Sequence, residues 1–376
     1  LSPDQVERVR HLTGEHGAVS PERVLLCCSH THGGPGTRHS ASLPVNEVYL
    51  AALEQHLAGV VYAAAQYLRP VALGLGHGTA GFNVNRRLRL PDGRMAMRPN
   101  PEGPVDHDVA VLRFDLLRAA DGRGDLSDLA GQHPLAVLFR YTCHATSLGA
   151  QNYLFTADYP GAARRYVERA YGAAATPDAG LQTTALFLPG CFGDIRPCFT
   201  GPEGGFRSAT WAELEALGRQ LGSAAVQACE AVRDPTSTRP SQEPEGDLAG
   251  PVGAASRQIE LPLEPNDAGR ATWPAEVQVL RIGGVYLVGL PGEVFLEIGR
   301  RAQQAVAGAV GLPAERVLVQ GYSNGSIGYV PTAAAIPEGG YEVGAWKMSD
   351  RPAGFTGDAE RLLADTAATL AAHLVG

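Results

Sequence analysis

The stretch Val24-Leu25-Leu26-Cys27-Cys28-Ser29-His30-Thr31-His32-Gly33-Gly34-Pro35-Gly36 sets two imidazoles and a glycine-rich turn directly after an apolar run. The run has the length and composition of a buried strand, which predicts a strand over 23–29. Strand ends that open into turns are where α/β folds build their sites. In extended backbone the side chains at i and i+2 share a face, so His30 and His32 enter one pocket. Alone, the pair reads equally well as a hydrogen-bonded turn or as the start of a metal site.

Periodicity on either side alternates helix and strand. Helices are expected over 4–15, 47–68, 159–172, 209–232, 294–310 and 357–375. In the second of these, Val48, Ala51, Leu53, Leu57, Val60, Val61 and Ala64 form the predicted apolar side. Strands are expected over 71–76, 108–115, 135–143, 184–189, 253–262, 276–290 and 316–321. The 276–290 stretch folds as a hairpin at Ile282-Gly283-Gly284. The arginine-rich stretch 83–106 reads as a polar loop, and 234–250 as a linker rich in Pro, Ser, Glu and Gly. No repeat is present. The pattern predicts an α/β fold, a mixed β-sheet core covered by helices, in one large catalytic domain over 1–376.

With 376 residues, the chain can bury a sizeable core. Its 31 Lys and Arg against 39 Asp and Glu give a net charge of −8 with no long run of either sign. That argues against a nucleic-acid groove or a polybasic membrane patch. No stretch of roughly 18 uninterrupted apolar residues occurs, so no membrane span is expected. Leu1 is not a methionine, and Ser2 and Pro3 read as the cap and first turn of a helix, so further N-terminal segments are expected. The cysteines Cys27, Cys28, Cys143, Cys191, Cys198 and Cys229 fit no zinc-ribbon spacing and read as reduced, small hydrophobes, which leans toward a reducing cytoplasm. Cys191 with Cys198 is the one candidate disulfide.

Other strand ends carry polar groups that a core does not need. Phe139-Arg140-Tyr141-Thr142-Cys143-His144 ends in a histidine, and Gly289-Leu290-Pro291-Gly292-Glu293 places a carboxylate at the opening of the next helix. Singly, His144 reads as a core histidine and Glu293 as a helix-capping residue. Together, His30, His144 and Glu293 make the two-histidine, one-carboxylate ligand set of catalytic zinc, which leaves a coordination position for water.

Six blocks in order carry a family resemblance. They are His30-Thr31-His32-Gly33-Gly34-Pro35-Gly36; Asn83-Val84-Asn85-Arg86; His144-Ala145-Thr146-Ser147 with Asp158; Gly193-Asp194-Ile195-Arg196-Pro197; Pro291-Gly292-Glu293 leading to Gly299-Arg300-Arg301; and Ser323-Asn324 through Gly328-Tyr329 to Tyr341-Glu342. Over residues 20–375 the chain resembles the neutral/alkaline (non-lysosomal) ceramidases, which are zinc amidases. The resemblance implies Zn2+ held by His30, His144, Glu293 and Tyr329. It further implies that His32, Arg86 and Tyr341 face the open side of the metal as proton shuttle, fixed positive charge and phenolic donor. Asp158 and Asp194 become candidates to orient metal-bound histidines, with Asp194 reading equally as a turn residue. Without the resemblance, Tyr329 would be a core tyrosine, and Arg86, close to Arg87 and Arg89, a solvated surface arginine.

The chain departs from the family at Arg196, where the ceramidases carry a serine regarded as catalytic. That departure removes a serine nucleophile and leaves attack by metal-activated water. Read as one catalytic-type domain, the chain is expected to lack the C-terminal immunoglobulin-like domain that the resemblance associates with full-length ceramidases. The expected activity is hydrolysis of a linear N-acyl amide smaller or more polar than ceramide, with Arg196 as a substrate-binding residue for an anionic group. An ester hydrolase, an amide-forming acyltransferase and a non-catalytic binding protein on the same fold are the alternatives.

Overall fold

Alternate residues of the central strands face opposite layers, and this period of two builds the architecture. A computed structural model of the chain describes residues 1–15, 17, 19–37, 45–116, 134–172, 182–233, 248 and 250–375. In chain order the helices are α1 (Pro3–Glu15), α2 (Glu47–Gln66), α3 (Asp158–Gly172), α4 (Trp211–Arg233), α5 (Leu296–Val310), α6 (Tyr341–Gly344) and α7 (Asp358–Ala372). The strands are β1 (Val71–Thr79), β2 (Asn83–Arg89), β3 (Met95–Asn100), β4 (Asp108–Leu116), β5 (Pro134–Tyr141), β6 (Thr184–Pro189), β7 (Ile195–Pro197), β8 (Val252–Pro262), β9 (Thr272–Ile282), β10 (Val285–Gly289), β11 (Glu293–Val294), β12 (Val317–Gln320) and β13 (Tyr329–Val330).

Two four-stranded mixed sheets, β1-β4-β5-β6 and β12-β10-β9-β8, form the body. On β4, Val109 and Val111 pack toward Leu221, Ala225 and Ala228 of α4, whereas Ala110 and Leu112 join Val285 and Leu287 of β10 in a separate cluster. On β10 the intervening Tyr286 and Val288 turn to Ile298 and Ala302 of α5 and Leu363 and Ala367 of α7. The sheets therefore face each other across an apolar layer, with helices on both outer faces. The α/β class holds, with two packed sheets making up the core.

Two small sheets bring the site together. In β3-β2-β7, strand β2 pairs antiparallel with β7 through Asn83↔Pro197, Val84↔Arg196 and Asn85↔Ile195. In the other, β11 runs parallel to β13 with Glu293 opposite Tyr329.

Several local expectations are corrected. The 83–106 stretch is not a loop but contributes β2 and β3, because its polar side chains find partners inside the protein. Asn83 Nδ2 donates to the carbonyls of Asp106 and Thr142, both at 2.7 Å. The 23–29 stretch is not a regular strand; it follows a short 3-10 turn at Pro21–Arg23 and makes a single bridge, Cys27 to Ser323. Asn324 takes the place of a strand partner there, accepting from Leu26 N through Oδ1 at 3.0 Å.

Helix α2 buries Leu50, Glu54 and Ala58 and leaves much of its predicted apolar side outside, Val48 among it at 80% exposed. It is long and apolar enough to cross a membrane by length and hydropathy, which the sequence reading did not anticipate. At its middle, however, Glu54 pairs with Arg8 of α1 at 2.7 Å. Cys191 and Cys198 form no disulfide; Cys191 is buried and Cys198 exposed, and both are free thiols. Burial pushes the Cys191 and Cys229 thiols up to about 12, which leaves them inert. The 234–250 linker lies outside the described residues except for Leu248 and Gly250.

Candidate metal centre and active site

The His30 segment is fixed by backbone conformation as much as by sequence. His30 has φ 57°, and the other non-glycine residues in the left-handed region are Asp158, Tyr322 and Asn324. Such residues need a surrounding structure that over-determines them. For His30 that structure includes the ring of Tyr322 at 4.5 Å between centroids and the Cys28 N–H, which donates to the Tyr322 carbonyl at 3.1 Å. The predicted alternation of an extended strand is therefore absent. His30 and His32 still share a pocket, with their Nε2 atoms 3.3 Å apart.

His144 lies just beyond β5, fully buried and edge-on to Phe192. Its Nδ1 stands 2.8 Å from the carbonyl oxygen of Ile195, so Nδ1 carries the proton and donates. Nε2 is left as a bare lone pair, 3.2 Å from Glu293 Oε2. Glu293 is carried by β11 rather than by a helix terminus, since α5 begins three residues later. Two glycines let its backbone into place. A Cβ on Gly193 would stand 2.4 Å from the Glu293 carbonyl oxygen, and Gly292 sits at φ +72° against the Gly328 carbonyl.

Among the described residues, His30, His144 and Glu293 are the one group of three or more His, Cys, Asp or Glu side chains whose donor atoms converge, all within 4.8 Å of one another. Glu293 Oε2 is 3.4 Å from His30 Nε2 as well as 3.2 Å from His144 Nε2. Donors bonded tetrahedrally to zinc at about 2.05 Å stand about 3.4 Å from each other. The donor chemistry agrees. Burial, followed by the charge of Arg86, pushes His144 down to about 3, so no proton bridges it to the carboxylate near neutrality. Burial works to raise Glu293, but His30 and His144 outweigh it and hold the carboxyl well below its ordinary range. A lone pair facing a carboxylate is a favourable arrangement only with a cation between them. These residues fit a zinc ion.

Tyr329 stands beside this group. Its hydroxyl accepts from Arg86 Nη2 at 2.9 Å. Burial, then Glu293, pushes the phenol well above its ordinary value, and Arg86 opposes them. Arg86 is buried, against the surface reading of the Arg86-Arg87-Arg89 stretch. Its Nε donates to Glu342 at 2.7 Å and Nη2 to the Gly193 carbonyl at 2.7 Å. Exposed Tyr341 packs edge-on to Tyr329, ring centroids 5.8 Å apart, and shares with it a cavity of about 490 Å³. His32, Arg86 and Arg196 line the same cavity. Burial, then His30, pushes His32 down to about 4, so it is neutral near neutral pH.

The two aspartates act at one remove. Asp158 accepts from Ser147 N at 3.0 Å and Ser147 Oγ at 2.6 Å, holding the turn that follows His144. Asp194 accepts from Leu296 N and Asn85 Nδ2, both at 3.0 Å, tying β2 to the start of α5. Neither contacts a histidine ring; for His144 that is done by the backbone carbonyl of Ile195. The sequence reading missed that carbonyl, the bracing role of Glu342, and the Phe192–Tyr322 stack at 4.4 Å beside His30 and His144. Gly321-Tyr322-Ser323-Asn324, polar residues directly after buried β12, carries the same strand-end signature as His144 and was there to be read.

No family model matches the chain. It is 25% identical over 92% of its length to the neutral ceramidase of Mycobacterium tuberculosis, covering 63% of that protein. Its fold superposes on a crystal structure of neutral ceramidase from Pseudomonas aeruginosa with TM-score 0.75 at 19% identity, covering all of this chain and 64% of that one. A second structure, of a ceramidase complexed with C2, gives TM-score 0.74 at 17% identity over 99% of this chain and 65% of the other. Fold and site together define an α/β domain built around a His-His-Glu cluster. In sequence and fold the chain is similar to these ceramidases, as the six ordered sequence blocks implied. The chain spans just under two thirds of the length of these relatives.

Proposed function

We propose that this chain is a zinc-dependent amidohydrolase that cleaves a linear N-acyl amide with water, on a substrate smaller or more polar than ceramide. The observation that carries the reading is the convergence of His30, His144 and Glu293, with the carboxylate at tetrahedral donor spacing from each imidazole and all three donor atoms within 4.8 Å of one another. These three hold the ion, with Tyr329 as the fourth ligand. When bound, zinc lowers the pKa of a water into the neutral range and polarises the amide carbonyl.

The protein's own groups do the rest. Arg86 places its guanidinium on the Tyr329 oxygen and offsets the negative charge that ligation puts there. Tyr341, exposed on the cavity wall, offers its hydroxyl hydrogen to the oxygen that becomes negative as the carbonyl is attacked. Neutral His32 takes the proton of the attacking water at Nε2 and returns it to the departing nitrogen. The C–N bond breaks, and the products are a carboxylate and an amine. The cavity lining mixes apolar Met97, Leu148 and Ala150 with polar Thr146, Asn152, Asp158 and Arg196, and its polar part supports a substrate more polar than ceramide.

Elemental analysis of wild type beside His144→Ala and Glu293→Gln tests the centre, followed by amide hydrolysis with and without a chelator. Stoichiometric zinc in wild type, lost from both variants together with chelator-sensitive activity, is the expected result. Wild-type protein that neither contains zinc nor takes it up would end the reading.

A further inference from the structure

Half-buried Arg196 stands apart from the buried arginines that carry a carboxylate partner. Arg10 is paired with Glu276 at 2.8 Å, Arg86 with Glu342 at 2.7 Å and Arg113 with Asp115 at 2.7 Å. Among the described residues no hydrogen bond or ion pair engages the Arg196 side chain, and its Nε is buried without a partner. Its guanidinium lies 4.3 Å over the ring of Phe206, which the Thr200–Phe206 bridge holds in place. Strand β7 fixes the other end of the side chain through the Val84↔Arg196 pairing. A planar cation has thus been oriented by a strand and an aromatic face, yet no protein acceptor uses its donors.

Its surroundings make that arrangement costly. Arg196 lines the cavity that also contains His32, Arg86 and Tyr341, and Arg86 is a like charge nearby. The carboxylate on that wall, Asp158, is engaged by Ser147 and the backbone N–H of Tyr159. A half-buried guanidinium whose Nε has no partner, beside a second cation, gains from the arrival of an anion. One face is covered by Phe206, so the terminal Nη donors present their edge, which matches the two coplanar oxygens of a carboxylate.

We propose that Arg196, stacked on Phe206, is the anion-recognition residue of this cavity, and that the amides cleaved here carry a carboxylate. The substrate class rests on the amidohydrolase reading; the carboxylate site does not. Arg196 positions the substrate by its charge and takes no part in bond breaking.

The test uses zinc-loaded protein and two matched amide pairs. N-octanoylglycine against N-octanoylglycinamide places the carboxylate on the amine side, and N-octylsuccinamic acid against its terminal amide places it on the acyl side. Wild type is expected to favour the acidic member of one pair by about tenfold or more in kcat/KM. In Arg196→Gln that ratio collapses toward unity, and Arg196→Lys recovers part of it, which a misfolded protein would not do. Equal use of acidic and neutral members by wild type, or a ratio unchanged in Arg196→Gln, overturns the proposal. Calorimetric binding of N-octanoylglycine to the same proteins separates the two readings. If no amide is cleaved the hydrolase reading fails, and binding alone decides: about tenfold weaker binding to Arg196→Gln upholds the anion site, and unchanged binding removes it.

Discussion

Arg86 and Glu342 form a buried ion pair, Nε to Oε1 at 2.7 Å, with side chains only 5% and 2% exposed. The second oxygen of Glu342 holds Arg87 at 3.0 Å, so one carboxylate fixes two adjacent arginines of β2. One of them touches the Tyr329 hydroxyl. The first residues of α6 are in this way coupled to the candidate metal centre without contacting it.

Glu342→Gln removes the charge and leaves both cations buried. Breaking a buried pair from one side costs about 3–5 kcal/mol. The variant is expected to melt well below wild type and, at temperatures where it stays folded, to lose most of its kcat with a smaller change in KM, because Arg86 no longer holds Tyr329. Denaturant melts and steady-state kinetics on one preparation check both parts. A stable variant with wild-type kcat would show that Arg86 holds its place without Glu342.

Gly193 is a second lever on the same centre. A methyl there meets the Glu293 carbonyl oxygen at 2.4 Å and Phe295 Cδ1 at 3.0 Å. Overpacking of this kind costs about 1–3 kcal/mol, and relief comes only by pushing β11, with Glu293, away from the histidines. Gly193→Ala is expected to lose zinc affinity out of proportion to its modest loss of stability. Zinc titration against a competing chelator, beside a thermal melt, separates the two. An unaltered zinc affinity would mean that β11 tolerates the shift.

The long elements were legible because burial dictates period. Val285–Gly289 reads as a strand from its unbroken apolar run, and the 209–232 and 294–310 stretches read as helices from their spacing. The site was legible in part, since His144 and Glu293 mark strand ends with groups a core would reject. Polar residues whose partners lie far along the chain were not. Asn83, Asn85, Arg86 and Arg87 look like a solvated loop until Thr142, Asp194 and Glu342 are brought to them. The left-handed turn at His30 also left no local signal, because Tyr322, nearly 300 residues away, is what stabilises it. Even the apolar side of α2 was misleading, since periodicity says that a face is apolar but not that anything covers it.

A pH effect on stability is expected away from the site. Burial works to lower His77, but the hydrogen bond from Nδ1 to Asp108 at 2.9 Å and the charge of that carboxylate together outweigh it, so the folded pKa lies above the ordinary 6.5. A raised histidine stabilises fully below its unfolded pKa and loses that contribution as pH rises through the folded value. The two side chains are 32% and 36% exposed, so solvent screening keeps the effect below about 1 kcal/mol. His77→Gln is expected to cost more stability at about pH 5.5 than at about pH 8.5. Denaturant melts at both values check it, and an equal or reversed difference would contradict the assignment.

Tyr329 distinguishes a four-ligand centre from a three-ligand one. Its hydroxyl meets Arg86 at 2.9 Å, and its backbone pairs in parallel with that of Glu293. If the phenol only steadied the carboxylate, its removal would lower zinc affinity little and leave Arg86 bonded to Glu342 and Gly193. As a ligand compensated by Arg86 it contributes directly, and Tyr329→Phe is expected to lose about tenfold or more in zinc affinity. The metal's absorption spectrum gives a second reading. With cobalt in place of zinc, loss of a phenolate donor alters the visible bands, whereas loss of a hydrogen bond leaves them nearly unchanged. Unchanged cobalt bands together with wild-type zinc affinity would place Tyr329 outside the coordination sphere and leave His30, His144 and Glu293 as its protein ligands.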